Sequence, residues 1–97
     1  MVVVYRKIAD SETMAAYASL ALPALTALGA RFAVRSTGEA VEARESGLKE
    51  RVVVVEFPTK EQAIAAYDSP AYQAALALLA GKVERDVRFV EGQELTP

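Results

Sequence analysis

The sequence contains no cysteine, histidine, tryptophan or asparagine. Without cysteine the chain cannot form a disulfide bond. It also lacks the usual ligands of zinc and copper, the thiolate nucleophile and the imidazole acid or base. Proton transfer by this chain must therefore rely on Asp, Glu, Tyr, Lys or Arg side chains. We expect no metal site and no cofactor.

Clusters of basic residues and long apolar runs are missing as well. The 97 residues carry 11 basic and 13 acidic side chains, a net charge of −2. This balance argues against nucleic acid or an anionic membrane as a partner. No apolar run approaches the roughly 20 residues of a membrane span, and the N-terminus lacks the charged start and cleavage site of a signal peptide. We expect a cytoplasmic protein with a single domain over residues 1–97.

Two runs of valine give the strongest secondary-structure signal, one within residues 2–8 and one at residues 52–55. Consecutive β-branched residues favour strands, and strands without polar alternation are typical of sheet centres that are buried on both faces. The helices that the rest of the chain can form are enough to cover one face. We therefore expect the other face to be covered by a second copy of the chain, which predicts a homodimer.

The segment between the two valine runs predicts a helix and then a strand. Asp10 is a suitable N-cap and Gly29 a suitable terminator for an Ala- and Leu-rich helix. Pro23 predicts a kink or a break in this helix near residues 19–23, because proline cannot donate a backbone hydrogen bond. Residues 31–35 alternate between polar and apolar side chains, which suits an edge strand.

The second half repeats this order. Residues 59–67 fit a capped short helix, Ser69 and Pro70 fit the start of a further helix, and residues 84–91 fit a last strand. The chain order βαββαβ predicts an α+β, ferredoxin-like sandwich. Its sheet is antiparallel, its helices lie on one face, and the first and third strands are central.

Several segments resemble one known family. They are Arg51 with the hydrophobic run after it, Glu56-Phe57-Pro58-Thr59 and Tyr67-Asp68-Ser69-Pro70-Ala71-Tyr72, with Gly29-Ala30-Arg31-Phe32 and Arg35-Ser36-Thr37-Gly38 upstream. They are similar to the signature of the family called domain of unknown function 1330, although Ala30 stands where the family has a second glycine. The resemblance implies a ferredoxin-like domain that pairs through its sheet, as in the dimeric α/β-barrel superfamily. The family's biochemical role is not established, so the resemblance implies no particular chemistry.

Six side chains are candidates for a ligand site between sheet and helices: Tyr5, Arg31, Arg35, Glu56, Tyr67 and Tyr72. Arg31 and Arg35 share a predicted strand face, either as a clamp for an anion or as protective charges on an edge strand. Glu56 is either a general base or a strand-end carboxylate paired with Arg51, Arg35 or a cation of a second copy. These tyrosines, together with Tyr17, either line the cleft and present hydroxyls to a ligand or pack in the core.

Three functions are compatible with these features. We favour the binding of a small organic acid or aromatic ligand between sheet and helices. The alternatives are a cofactor-independent enzyme of the isomerase or monooxygenase type, by analogy of fold alone, and an interaction module without a ligand. A pocket that contains Arg35 or Glu56 together with a tyrosine favours the first two functions, and a filled space beneath the helices favours the third. No catalytic residue is identified.

Overall fold

The computed structural model describes residues 1–93. Its strands and α-helices are β1 (Val2–Lys7), α1 (Ser11–Thr26), β2 (Arg31–Ser36), β3 (Val52–Glu56), α2 (Lys60–Asp68), α3 (Pro70–Ala77) and β4 (Glu84–Arg88), with a short 3₁₀ helix at Gly38–Ala40. Residues 94–97 of the predicted domain lie outside this description. Within the described residues, no helix has the length and apolar character that crossing a bilayer requires.

The four strands form one antiparallel sheet in the order β2-β3-β1-β4. The two valine-rich strands are central and the half-polar strands are at the edges, as predicted. This order and the chain connections are those of the ferredoxin-like fold. The predicted α+β architecture is confirmed.

The two faces of the sheet differ in what covers them. On the helix-covered face, Val3, Tyr5 and Val55 are buried in a core that also includes Leu25 of α1 and Tyr72 of α3. The opposite face, here called the open face, carries five valines: Val2, Val4, Val34, Val52 and Val54. No helix of the described part covers the open face.

The predicted helix caps are present. Asp10 accepts a hydrogen bond from the Thr13 amide (2.8 Å), Thr59 from the Gln62 amide (3.1 Å), and Ser69 from the Tyr72 amide (3.3 Å). Each cap satisfies a backbone N–H that has no partner within its helix. Gly29 has φ +97°, a left-handed conformation that favours glycine, and it leads the chain from α1 into β2.

Helix α1 continues through Pro23 to Thr26 without interruption. Pro23 itself is exposed, whereas Ala21 and Leu25 on either side are only 3% and 2% exposed. The tertiary packing of these neighbours offsets the lost backbone hydrogen bond, since burying one leucine contributes about 1.5–3 kcal/mol. The predicted alternative of a break near residues 19–23 is therefore wrong.

Strand β2 contains a bulge that its sequence pattern does not reveal. Phe32 and Val34 pair with successive residues of β3, which leaves Ala33 as an extra residue. One extra residue shifts the alternation of all side chains after it to the opposite face. Arg31 therefore lies on the open face and Arg35 on the helix-covered face. The prediction that these two arginines share a face is wrong.

Candidate functional site

A cavity of about 240 Å³ lies between α1 and the helix-covered face of the sheet. Its apolar surface includes Val3, Val53, Val55 and Leu25. Its polar and charged groups are three arginines and three tyrosines: Arg35, Arg51, Arg85, Tyr5, Tyr17 and Tyr72. No Asp or Glu lines this cavity, so it concentrates positive charge and hydrogen-bond donors without an anion.

Strand pairing places three of these residues side by side. Tyr5 pairs with Arg85 of β4, and its amide donates to the carbonyl of Arg51, just before β3, at 3.0 Å. The guanidinium carbons of Arg51 and Arg85 lie 5.6 Å and 5.4 Å from the ring centroid of Tyr5. Cations at this distance from an aromatic ring are attracted by its quadrupole. The Tyr5 ring therefore has one guanidinium close to it from the residue before β3 and another from β4.

Arg85 is fixed by two tyrosine hydroxyls from different helices. Its Nη1 donates to Tyr17 Oη of α1 and its Nη2 to Tyr72 Oη of α3, both at 3.2 Å. The two hydroxyl oxygens are 2.6 Å apart and share a hydrogen bond. The rings of Tyr17 and Tyr72 meet edge to face, with centroids 6.2 Å apart. This arrangement ties α1, α3 and β4 together around one cation.

The protonation states in this cluster follow from burial and charge. Burial, followed by the neighbouring Tyr72, raises the pKa of Tyr17, and these effects exceed the lowering by Arg85. Burial alone lowers the pKa of Arg85, but the interactions with Tyr72 and Tyr17 outweigh it and raise that pKa. At neutral pH Arg85 is therefore a cation, and the Tyr17 hydroxyl keeps its proton and donates hydrogen bonds.

The arginines of the cavity differ from the others in their partners. Outside the cavity, each arginine forms an ion pair with a carboxylate: Arg6 with Glu50 and Asp86, Arg31 with Glu56, Arg44 with Glu42, and Arg88 with Asp86. Arg35, Arg51 and Arg85 have no carboxylate partner within residues 1–93. The Nε of Arg51 is also buried without a hydrogen-bond partner. An unsatisfied buried donor costs about 1–3 kcal/mol, so its retention requires an explanation.

The six candidates from the sequence fall into two groups. Tyr5, Arg35 and Tyr72 line the cavity together. Arg31 and Glu56 instead form an ion pair with each other at 3.3 Å on the open face, and both are exposed. This differs from the expected pairing of Glu56 with Arg51 or Arg35. Tyr67 packs against the rings of Tyr72 and Phe89 and does not line the cavity.

Arg51 and Arg85 line the cavity but were not among the candidates, whereas Tyr17, which the sequence placed with the other tyrosines of the cleft, lines it as well. The alternation of β4 contains a signal for Arg85, which precedes Val87 by two positions and so shares its face. Arg51 has the same relation to Val53. Tyr17 follows Met14 by three positions on the apolar stripe of α1. Periodicity therefore indicates the face of each residue, but it does not indicate that the three meet. Within residues 1–93, no group of His, Cys, Asp or Glu side chains could hold a metal ion.

A family model described as "Domain of unknown function (DUF1330)" matches residues 1–93. The chain belongs to this DUF1330 family. The resemblance seen in the sequence motifs is thereby confirmed. No curated protein matches the DUF1330 chain.

Two solved structures have the same fold as this DUF1330 chain. One is a crystal structure of a Rhodopseudomonas palustris protein of unknown function that was a structural-genomics target. It has 19% identity and a TM-score of 0.67, with 99% of this chain and 81% of the other covered. The second is the methylated form of that protein, with 18% identity, a TM-score of 0.66, and coverage of 99% and 79%. At such identities the similarity shows the fold alone.

Proposed function

We propose that the protein binds a small organic acid in the cavity between α1 and the sheet. The observation that carries this proposal is the unbalanced charge of Arg35, Arg51 and Arg85, together with the buried and unpaired Nε of Arg51. A carboxylate supplies the missing acceptors, and a charge-assisted hydrogen bond to arginine is about twice as strong as a neutral one. The negative charge of such a ligand balances the positive charge of the arginines, and its carbon skeleton lies against Val53 and Val55.

The size of the cavity limits the size of the ligand. A dry apolar cavity of about 150 Å³ holds benzene, and the pockets of drug-sized ligands begin at about 300 Å³. The present cavity, at about 240 Å³, fits an acid with a single ring or a chain of about six carbons. Benzoate, phenylacetate and hexanoate are suitable probes.

The residues of the cavity favour binding over acid–base catalysis. A general base must accept a proton from the substrate within hydrogen-bond reach. The lining contains no carboxylate, and the raised pKa of Tyr17 keeps this phenol protonated. The arginines are donors only. The polar groups therefore hold an anion and donate hydrogen bonds to it.

Thermal unfolding with each probe acid tests this proposal. A ligand at about 100 times its Kd stabilises the native state by about 2.7 kcal/mol. For a domain of this size, that raises Tm by roughly 10 °C or more. We expect this rise with at least one probe acid, and none with the neutral amide of that acid. The absence of a rise with every probe acid would contradict the proposal.

Two matched variants locate the site. Arg51→Met removes the guanidinium at similar length, so we expect it to abolish the rise in Tm. Its Tm without ligand should equal or exceed the wild-type value, because an unpaired buried donor is lost. Arg31→Met is the control, since Arg31 is paired with Glu56 on the open face. Equal stabilisation of Arg51→Met and wild type by the acid would place binding elsewhere.

We also propose that a second copy of the chain covers the open face. The five valines of that face form an apolar centre, and Val34 is 40% exposed. Charges of both signs surround it, with Arg31 beside Glu56 and Arg88 beside Asp86. A surface with both signs can complement its own copy across a two-fold axis. The protomer is only 16 Å thick along its shortest axis, so a second sheet supplies the layer that is missing.

A further inference from the structure

The Tyr17–Tyr72–Arg85 cluster has more hydrogen-bond donors than acceptors. Arg85 donates to both hydroxyls, and one hydroxyl proton lies between the two tyrosine oxygens. Two hydroxyls carry two protons, so one proton has no acceptor among residues 1–93. The guanidinium also has five N–H groups, of which two are used here. The cluster therefore has free donors at the end of the cavity nearest to β4.

This cluster is separate from the arginines on the other side of Tyr5. Arg51, just before β3, approaches the Tyr5 ring from one side of β1, and Arg85 of β4 approaches it from the other. Arg35 lies on β2, beyond β3, and pairs with Val53, a neighbour of Arg51 on the same face. The cations therefore form two groups along the sheet, with Arg35 and Arg51 on the β3 side of Tyr5 and Arg85 on its β4 side. Each group has positive charge without a carboxylate.

We propose that the ligand is a small dicarboxylate, with one carboxylate held by Arg51 and Arg35 and the other by Arg85 and the Tyr17–Tyr72 hydroxyl pair. This inference rests on the proposed function and specifies its ligand class. The second carboxylate accepts a hydrogen bond from the phenolic hydroxyl that has no other acceptor within residues 1–93, and its negative charge balances the positive charge of Arg85. The carbon chain between the two carboxylates lies along Val3 and Val53 of the sheet. A monocarboxylate satisfies only one of the two groups.

Calorimetric titration of the full chain with adipate and hexanoate tests the inference, because these acids have the same number of carbons. We expect adipate to bind at least about tenfold more tightly than hexanoate. A tenfold gain in affinity is about what one well-placed charge-assisted hydrogen bond contributes, and adipate has a second carboxylate to form it. Arg85→Gln should lower the affinity for adipate more than that for hexanoate and bring the ratio close to one. Tyr17→Phe should lower the ratio as well, and it tests the cluster even where Arg85→Gln does not fold.

Arg88→Gln is the matched control, because Arg88 is on the same strand but paired with Asp86 on the open face. Its adipate-to-hexanoate ratio should equal the wild-type ratio. Equal wild-type affinities for the two acids would overturn the dicarboxylate inference and leave the organic-acid proposal standing. A ratio that Arg85→Gln and Tyr17→Phe leave unchanged would also overturn it. Failure of both acids and all other probes to bind would overturn the proposed function itself.

Discussion

The phenol of Tyr17 is largely buried and has the cation Arg85 as a neighbour. Burial and the cation have opposite effects on the ionisation of this phenol. Its oxygen lies 2.6 Å from that of Tyr72 and 3.2 Å from a nitrogen of Arg85. The cation favours the phenolate, whereas burial and the neighbouring hydroxyl favour the neutral phenol. The latter effects prevail, so the pKa of Tyr17 is raised. Because the phenol stays neutral, it can donate a hydrogen bond to a ligand anion.

The raised pKa of Tyr17 predicts a stability that depends on alkaline pH. An unfolded tyrosine has a pKa of about 10. A group whose folded pKa is higher contributes stability that is complete below about pH 10 and is lost as the pH rises toward the folded value. We therefore expect the free energy of unfolding to fall above about pH 10, and to fall less steeply in Tyr17→Phe.

The absorbance of tyrosinate supplies a direct measurement for this prediction. The titration curve of wild type minus that of Tyr17→Phe isolates the phenol of Tyr17. Its midpoint should lie clearly above 10 in the folded protein and return to about 10 in denaturant. A difference curve with a midpoint near 10 in both states would contradict the prediction.

The start of α1 is capped by the side chain of Asp10. Asp10 accepts the Thr13 amide hydrogen bond at 2.8 Å. This bond, with the neighbouring charge of Lys82 as a smaller cause, lowers the pKa of Asp10. This cap stabilises the first turn of α1, and α1 also contributes Tyr17 and Leu25 to the lining of the cavity. We therefore expect the cap to affect the stability of the whole domain.

Asp10→Ala should lower Tm by roughly 3–6 °C at neutral pH, because the first turn loses its acceptor. Asp10→Asn retains a capping oxygen and should have a Tm close to wild type. Because the folded pKa of Asp10 is lowered, its contribution is present above the unfolded pKa of about 3.9 and is lost as the pH falls through the folded value. The Tm difference between wild type and Asp10→Ala should therefore shrink in acid. A constant difference from pH 7 to pH 2 would argue against a role for the charge.

Within residues 1–93, the layered architecture leaves the open face without cover. The central strands place alternate valines on the two faces, so Val55 is 1% exposed while Val54 lies on the open face. The same residue type therefore stabilises the core at one position and is available for assembly at the next. The homodimer, the cytoplasmic location and the absence of a nucleic-acid partner stay predictions.

Substitution of Val54 tests the dimer. Val54→Glu places a charge in the apolar centre of the open face, so we expect a folded monomer, because an unpaired charge in such an interface is costly. Light scattering after size exclusion gives the mass, and circular dichroism checks the fold. Ile64→Glu, at an exposed position of α2, is the control and should keep the wild-type mass. A monomeric wild type, or a dimeric Val54→Glu protein, would contradict the dimer.

Local sequence preferences account for the elements of this fold and for their order. The valine runs of β1 and β3, the caps at Asp10 and Ser69, and the turn at Gly29 depend on local preferences, and such preferences can be read from a few adjacent residues. Burial patterns then placed the two valine-rich strands at the centre. Local patterns also predicted a kink or a break near Pro23, but the burial of Ala21 and Leu25 keeps α1 unbroken.

Strand register and helix packing set which charged groups share the cavity. The bulge at Ala33 puts Arg35 on the face that lines the cavity and Arg31 on the open face, and alternation alone cannot reveal an extra residue. The hydroxyl contact between Tyr17 and Tyr72 joins residues 55 positions apart, and the contact between Arg85 and Tyr17 joins residues 68 positions apart. Such meetings depend on strand register and helix packing, which are properties of the whole fold. For this reason the unbalanced charge of the cavity became visible only in three dimensions.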